Sequence, residues 1–208
     1  MLNHRWLVTA SGTAGPDRWQ IGATTLLLAL ASAPLLLTLR PQIGLFIVVL
    51  FVLRLAALRW STLPTGTWVL VGLTLLGGLH VLDAYHGLAG KQPGTALLLT
   101  MVALKLLEVR QPRDLRVLST VFGFLLVVQF LFDTSGWMAA YLAVLLLGNL
   151  ALMVDLGADS GRARLRSALG TAGSLMIQAL PLAVLLFVLF PRLDAPLWDL
   201  GLDDNVAR

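Results

Sequence analysis

The sequence predicts an all-α, polytopic helical membrane protein with about seven transmembrane helices. Composition is the first observation: of 208 residues, 58% are hydrophobic and only 12% charged, with a mean hydropathy of +0.86. A soluble domain carries roughly 25% charged residues, and so little polar surface would not keep a globular domain in solution. The second observation is spacing. Apolar runs recur along the chain, separated by short turns rich in Arg, Pro and Gly. The third is the stretch Met101–Phe132, where an apolar run, a charged bend and a second apolar run follow one another without polar–apolar alternation. Each run is about long enough to cross, or nearly cross, a hydrocarbon core of roughly 30 Å as a helix.

Residues 1–18 form a polar arm punctuated by Gly and Pro. The first run covers 19–39. Ala29-Leu30-Ala31-Ser32-Ala33 within it has the small-residue pattern of a cleavage site, but the run continues through Leu35, Leu36 and Leu37. Small residues that let membrane helices pack closely are the better reading. Arg40-Pro41 turns the chain into a second run, 43–58, which contains Arg54. The third run covers 68–82 and leads into a loop, Asp83–Gly94. The fourth covers 95–107, the fifth 115–132 and the sixth 137–154. The seventh, 168–190, contains Pro181, where a kink is expected. A polar, Pro-rich, acidic tail, 191–208, follows. The second and fourth runs are short, and re-entrance of either would reduce the count to five or six.

Seven runs place the termini on opposite sides, and the distribution of basic residues orients them. With the N-terminus in the cytoplasm, Arg5, Arg18, Arg59, Arg110, Arg113, Arg116, Arg162, Arg164 and Arg166 lie inside. Arg40, Lys91, Arg192 and Arg208 lie outside, a bias of nine to four. Trp19, Trp60, Trp68 and Trp137 fall at run edges, where an interfacial aromatic belt belongs. The net charge of +4 does not indicate nucleic acid, because the basic residues sit at run ends and not on one polar face.

Several polar residues are candidates for chemistry. Lys105 and Glu108 are three apart on one helical face. An intramembrane ion pair would conduct or sense protons; a lysine reaching the interface beside a carboxylate does neither. The second reading fits their position near the basic bend. Gln129, Asn149 and Gln178 are expected to hydrogen-bond between helices. His80, Asp83 and His86 are the candidate metal ligands. Helical geometry turns the two histidines about 120° apart, which places them poorly for one ion. The chain has no cysteine, hence no thiol nucleophile. It also lacks a phosphate loop and a dinucleotide fingerprint. No cofactor, metal site or catalytic residue is expected.

Three segments carry a resemblance: ALLLTMVALKLLEVRQPRDLRVL (96–118), FLLVVQFLFDTS (124–135) and LPLAVLLFVLFPRLDAPLWDL (180–200). They resemble the N-terminal membrane domain of TgpA-type transglutaminases, bacterial inner-membrane proteins of protein-glutamine gamma-glutamyltransferase type. The motif residues are Lys105, Glu108, Arg113 and Asp114, then Phe190, Pro191, Arg192, Pro196 and Trp198. The junction from Phe190 to Trp198 is the most specific part.

The resemblance implies a membrane anchor followed by a periplasmic transglutaminase-like domain with a Cys-His-Asp triad, in cis or as a separate chain. Residues 191–208 would begin the periplasmic segment, and a chain ending at Arg208 would be a fragment of the whole or its non-catalytic partner. The implied partners are the lipid bilayer, that periplasmic domain and a cytoplasmic MoxR-like AAA ATPase. The alternative reading is a standalone transporter or sensor, which requires Lys105, Glu108, Asp83 and Gln129 to converge on one cavity.

Overall fold

A computed structural model of the chain describes residues 17–59, 66–87, 90–157 and 165–189. Among the described residues there are seven helices and no strand. They are α1 (Arg18–Leu36), α2 (Pro41–Arg59), α3 (Thr67–Tyr85), α4 (Lys91–Glu108), α5 (Pro112–Phe130), α6 (Gly136–Gly157) and α7 (Leu165–Leu189). The chain divides into two units, Met1–Ala172 and Gly173–Arg208, with the boundary inside α7. The motif junction at Phe190, Pro191, Arg192, Pro196 and Trp198 lies outside the described residues, as do Trp60 and the arm before Asp17.

The helices match the seven expected runs, but several begin earlier. α4 starts at Lys91, and α3 continues through Asp83 to Tyr85, so the loop expected over Asp83–Gly94 shrinks to the few residues after Tyr85. The reason is that helix ends are built from polar and Pro residues, which an apolar run does not count. Pro41 and Pro112 occupy first helical positions, where a missing N–H costs nothing. At the start of α5, Asp114 Oδ2 accepts from the backbone N–H groups of Arg110 and Gln111, both at 3.1 Å. α1 ends by tightening: the Leu37 and Thr38 N–H groups donate to Pro34 and Leu35, and Thr38 Oγ1 donates to Leu35 O at 2.8 Å.

Five helices are long and apolar enough to cross a bilayer by length and composition: α1, α2, α3, α6 and α7. The second run, expected to be marginal, is among them. α4 and α5 are not, because each carries three ionisable side chains near its ends: Lys91, Lys105 and Glu108 in α4, and Arg113, Asp114 and Arg116 in α5. Both are nevertheless interior to the first unit. α4 packs against α1, α2, α3 and α5, and α1 against α2, α4, α5 and α6. The chain is thus a polytopic helical membrane protein in which two of the less apolar helices are sheltered by more apolar ones.

The core of the first unit is aliphatic, built from residues such as Leu28, Leu35, Ile43, Ile47, Leu99, Leu106, Leu118 and Leu125, with Phe122 among them. In a bilayer, burial of such side chains gains little over lipid, and close packing carries the association. Ala31 and Ser32 of α1 are buried, with Ser32 Oγ donating to Leu28 O, which fits a packing role for the small-residue segment. Among the described glycines the closest approach is at Gly77 of α3, against α4 and α2. A Cβ on Gly77 would stand 2.8 Å from Thr100 Cγ2 and 3.2 Å from the Phe46 ring. α7 continues as helix through Pro181.

Candidate functional site

Charged side chains in the first unit lie towards the two ends of the bundle. Gly77 abuts Thr100 midway along α3 and α4, while Leu70 and Glu108 line one cleft. These two helices therefore run antiparallel, with the N-terminus of α3 beside the C-terminus of α4. The same end holds the last turn of α2, the α4–α5 bend, and the contact of Gln20 with Asp155, where Gln20 Nε2 donates at 3.1 Å.

At the opposite end the basic residues are engaged by aromatic rings and carbonyls. The Arg40 guanidinium lies 5.2 Å from the centre of the Tyr85 ring, and its backbone N–H donates to the Tyr85 hydroxyl. The Lys91 ammonium stands 4.7 Å from the Phe132 ring centre and donates to Leu131 O at 3.1 Å. A cation at the C-terminus of α5 is favoured by the orphan carbonyls and helix dipole there.

Among the described residues, the α4–α5 bend gathers Lys105, Glu108, Arg110, Arg113, Asp114 and Arg116. Lys105 Nζ donates to Glu108 Oε2 at 2.8 Å, and the two side chains are 40% and 54% exposed. This is the geometry of a lysine that extends to the interface beside its carboxylate. Asp114 caps the bend. The N–H of Arg110 is the largest influence holding its carboxyl below the usual range; partial burial opposes this, and the N–H of Gln111 and the charges of Lys105 and Arg113 add to it. Arg113 is exposed and makes no hydrogen bond or ion pair among the described residues.

Arg54 is the residue that sequence reasoning undervalued. The sequence assigns it no role beyond membership of the second run. It is only 8% exposed, and its Nη2 donates to Val109 O, the C-cap carbonyl of α4, at 3.3 Å. Its Nε has no hydrogen-bond partner among the described residues. The negative end of the α4 dipole is what compensates this cation. The available signal was a lone arginine in an apolar run with no acidic residue within a helical turn or two.

The expected hydrogen bonds are met unevenly. Asn149 and Ser119 clasp α6 to α5: Ser119 Oγ donates to Asn149 Oδ1, and Asn149 Nδ2 donates to Ser119 O at 3.2 Å. Gln129 is buried, and among the described residues its side chain reaches only Met138 Sδ of α6, at 3.6 Å. Gln178 departs from the expectation. Its Nε2 donates to Ser174 Oγ within α7, one turn away, because the i–4 hydroxyl is within easy reach on the same face.

Neither of the other candidate groups forms a site. His80 lies against Phe46, with ring centres 6.0 Å apart, while Asp83 and His86 are exposed at the end of α3. Among the described residues no three His, Asp or Glu side chains converge as metal ligands. Asp83 lies at the far end of α3 from the Lys105–Glu108 pair, and Gln129 near the end of α5 away from the bend. The convergence required by a transport pathway is not present in this arrangement.

Two cavities of about 460 Å³ open on the first unit. One separates α3 from the α4–α5 bend, with Leu70, Val71 and Leu75 on one wall and Glu108, Arg113 and Asp114 on the other. The second is an apolar groove beside α1 and α6, floored by Gly22, Ala23, Gly148 and Ala151.

The sequence profile of the TgpA N-terminal domain matches residues 23–208. A protein-glutamine gamma-glutamyltransferase of Pseudomonas aeruginosa is 38% identical over 138 residues, which is 66% of this chain and 20% of that protein. The chain thus matches about a fifth of the length of this curated relative. No solved structure matches the chain. With seven helices in the order of the expected runs and the family profile spanning nearly all of them, the chain belongs to the TgpA N-terminal domain family.

Proposed function

We propose that this chain is the membrane anchor of a transglutaminase-like protein and does not itself catalyse acyl transfer. The observation that carries the reading is the family match over residues 23–208. The relative's name supplies the activity class of the parent. A transglutaminase-type reaction forms a thioester, which needs a thiolate activated by a neighbouring histidine. Residues 1–208 contain no cysteine, so in this reading the nucleophile belongs to a periplasmic domain carried in cis or on a separate chain. The protein resides in the bacterial inner membrane, with the arm 1–18 in the cytoplasm and residues 191–208 opening the periplasmic segment. Support for that orientation is the nine-to-four distribution of basic residues.

Residues 1–208, purified in detergent, should fail to incorporate an amine donor into a glutamine acceptor peptide. Addition of the cysteine-bearing periplasmic domain should supply the activity. Robust incorporation by residues 1–208 alone would overturn the anchor reading.

A further inference from the structure

The cleft between α3 and the α4–α5 bend has two unlike walls. Leu70, Val71 and Leu75 of α3 form a largely apolar one, with Thr74 between them turning its hydroxyl back to Leu70 O, and Val71 and Leu75 are exposed. Trp68, at the start of α3, is 87% exposed and marks the interfacial depth. From Trp68 to Leu75 the helix advances about 10 Å, so this wall passes from headgroup level into the region of the acyl chains. The other wall is the charged bend. The adjoining ends of α2, α4 and α5 carry Arg59, Lys105, Arg113 and Arg116 with two carboxylates, Glu108 and Asp114.

Those two carboxylates are already engaged. Glu108 pairs with Lys105, and Asp114 accepts the N–H groups of Arg110 and Gln111. The exposed Arg113 guanidinium makes no hydrogen bond or ion pair among the described residues, acts on Asp114 only through space, and lines the same cleft. The site therefore joins an exposed guanidinium, free of hydrogen bonds among the described residues, to a largely apolar wall at interfacial depth.

We propose that this cleft binds an anionic glycerophospholipid, with the headgroup phosphate on Arg113 and an acyl chain along Val71 and Leu75. A guanidinium presents a donor fork matched to phosphate oxygens. Basic recesses between membrane helices are suited to anionic headgroups. A free phosphate would satisfy the cation but leave the apolar wall unused, whereas a lipid occupies both. The assignment rests on the cleft alone and not on the anchor reading.

The full chain, purified in a neutral detergent, is titrated with phosphatidylglycerol or phosphatidylcholine. Retained lipid is read by native mass spectrometry, and folding by circular dichroism. Phosphatidylglycerol should bind at a saturable site and more tightly than phosphatidylcholine. Arg113→Gln should cost about fivefold in phosphatidylglycerol affinity, the effect of one basic contact near a membrane surface. Arg116→Gln, on α5 outside the cleft, should change it little. Val71→Trp, which fills the apolar wall, should weaken both lipids and decides the matter if Arg113→Gln does not fold. Equal binding of the two lipids, or equal effects of the Arg113 and Arg116 substitutions, would overturn the assignment. Displacement of phosphatidylglycerol by millimolar inorganic phosphate would make the site one for a free anion and overturn the lipid.

Discussion

Lys105 sits inside an apolar helix, yet its ammonium meets Glu108 in an exposed pair. Exposed pairs contribute little, about 0–1 kcal/mol, and a lysine's aliphatic stem can lie along apolar surface while its ammonium stays in water. Lys105→Arg and Lys105→Leu should therefore insert and accumulate like the parent, as quantitative immunoblots of membrane fractions would show; loss of protein with either would mean a buried, paired lysine. Asp114 behaves differently because its carboxylate terminates a helix. Its folded pKa lies below the unfolded value, so its contribution is complete above about pH 4 and is lost as the pH falls through the folded value. Asp114→Ala should cost about 1 kcal/mol at pH 7, a gap that narrows in acid when unfolding midpoints are followed against pH. Asn149→Ala, which breaks both arms of the clasp to Ser119, should cost about 1 kcal/mol in detergent melts.

Between elements, glycine positions are the sharpest probe of packing. Gly77 and Gly78 are neighbours on α3 with opposite surroundings. A methyl at Gly77 meets Thr100 and Phe46, whereas nothing lies within 4 Å of one at Gly78. Gly77→Ala should therefore destabilise by about 1–3 kcal/mol through overpacking. Gly78→Ala should be neutral or stabilise by up to about 1 kcal/mol through helix propensity. Paired thermal melts of the two variants test the α3–α4 register directly, and equal effects would contradict it. The same register explains α4 and α5. Their ionisable residues lie near the helix ends, so the apolar middles can be enclosed while the charges reach the bend or the opposite rim.

For the whole molecule, the proposed orientation makes a direct prediction. A reporter active only in the periplasm should work when fused after Arg208 and fail within residues 161–167; the reverse at both sites would invert the topology. Much of the architecture was legible in the sequence. Seven apolar runs gave seven helices because a membrane helix must satisfy its own backbone within an apolar stretch, a constraint that each segment carries locally. Run boundaries were less legible, since Lys91, Pro112 and Asp83 belong to helices without being apolar. Partners were least legible of all. Asn149 found Ser119 thirty residues away, Arg54 found the carbonyl end of α4, and Gln178 turned back to its own helix. Hydropathy is a sum over one segment. Which polar group meets which depends on helix rotation and axial offset, and side-chain packing in the folded bundle alone decides both.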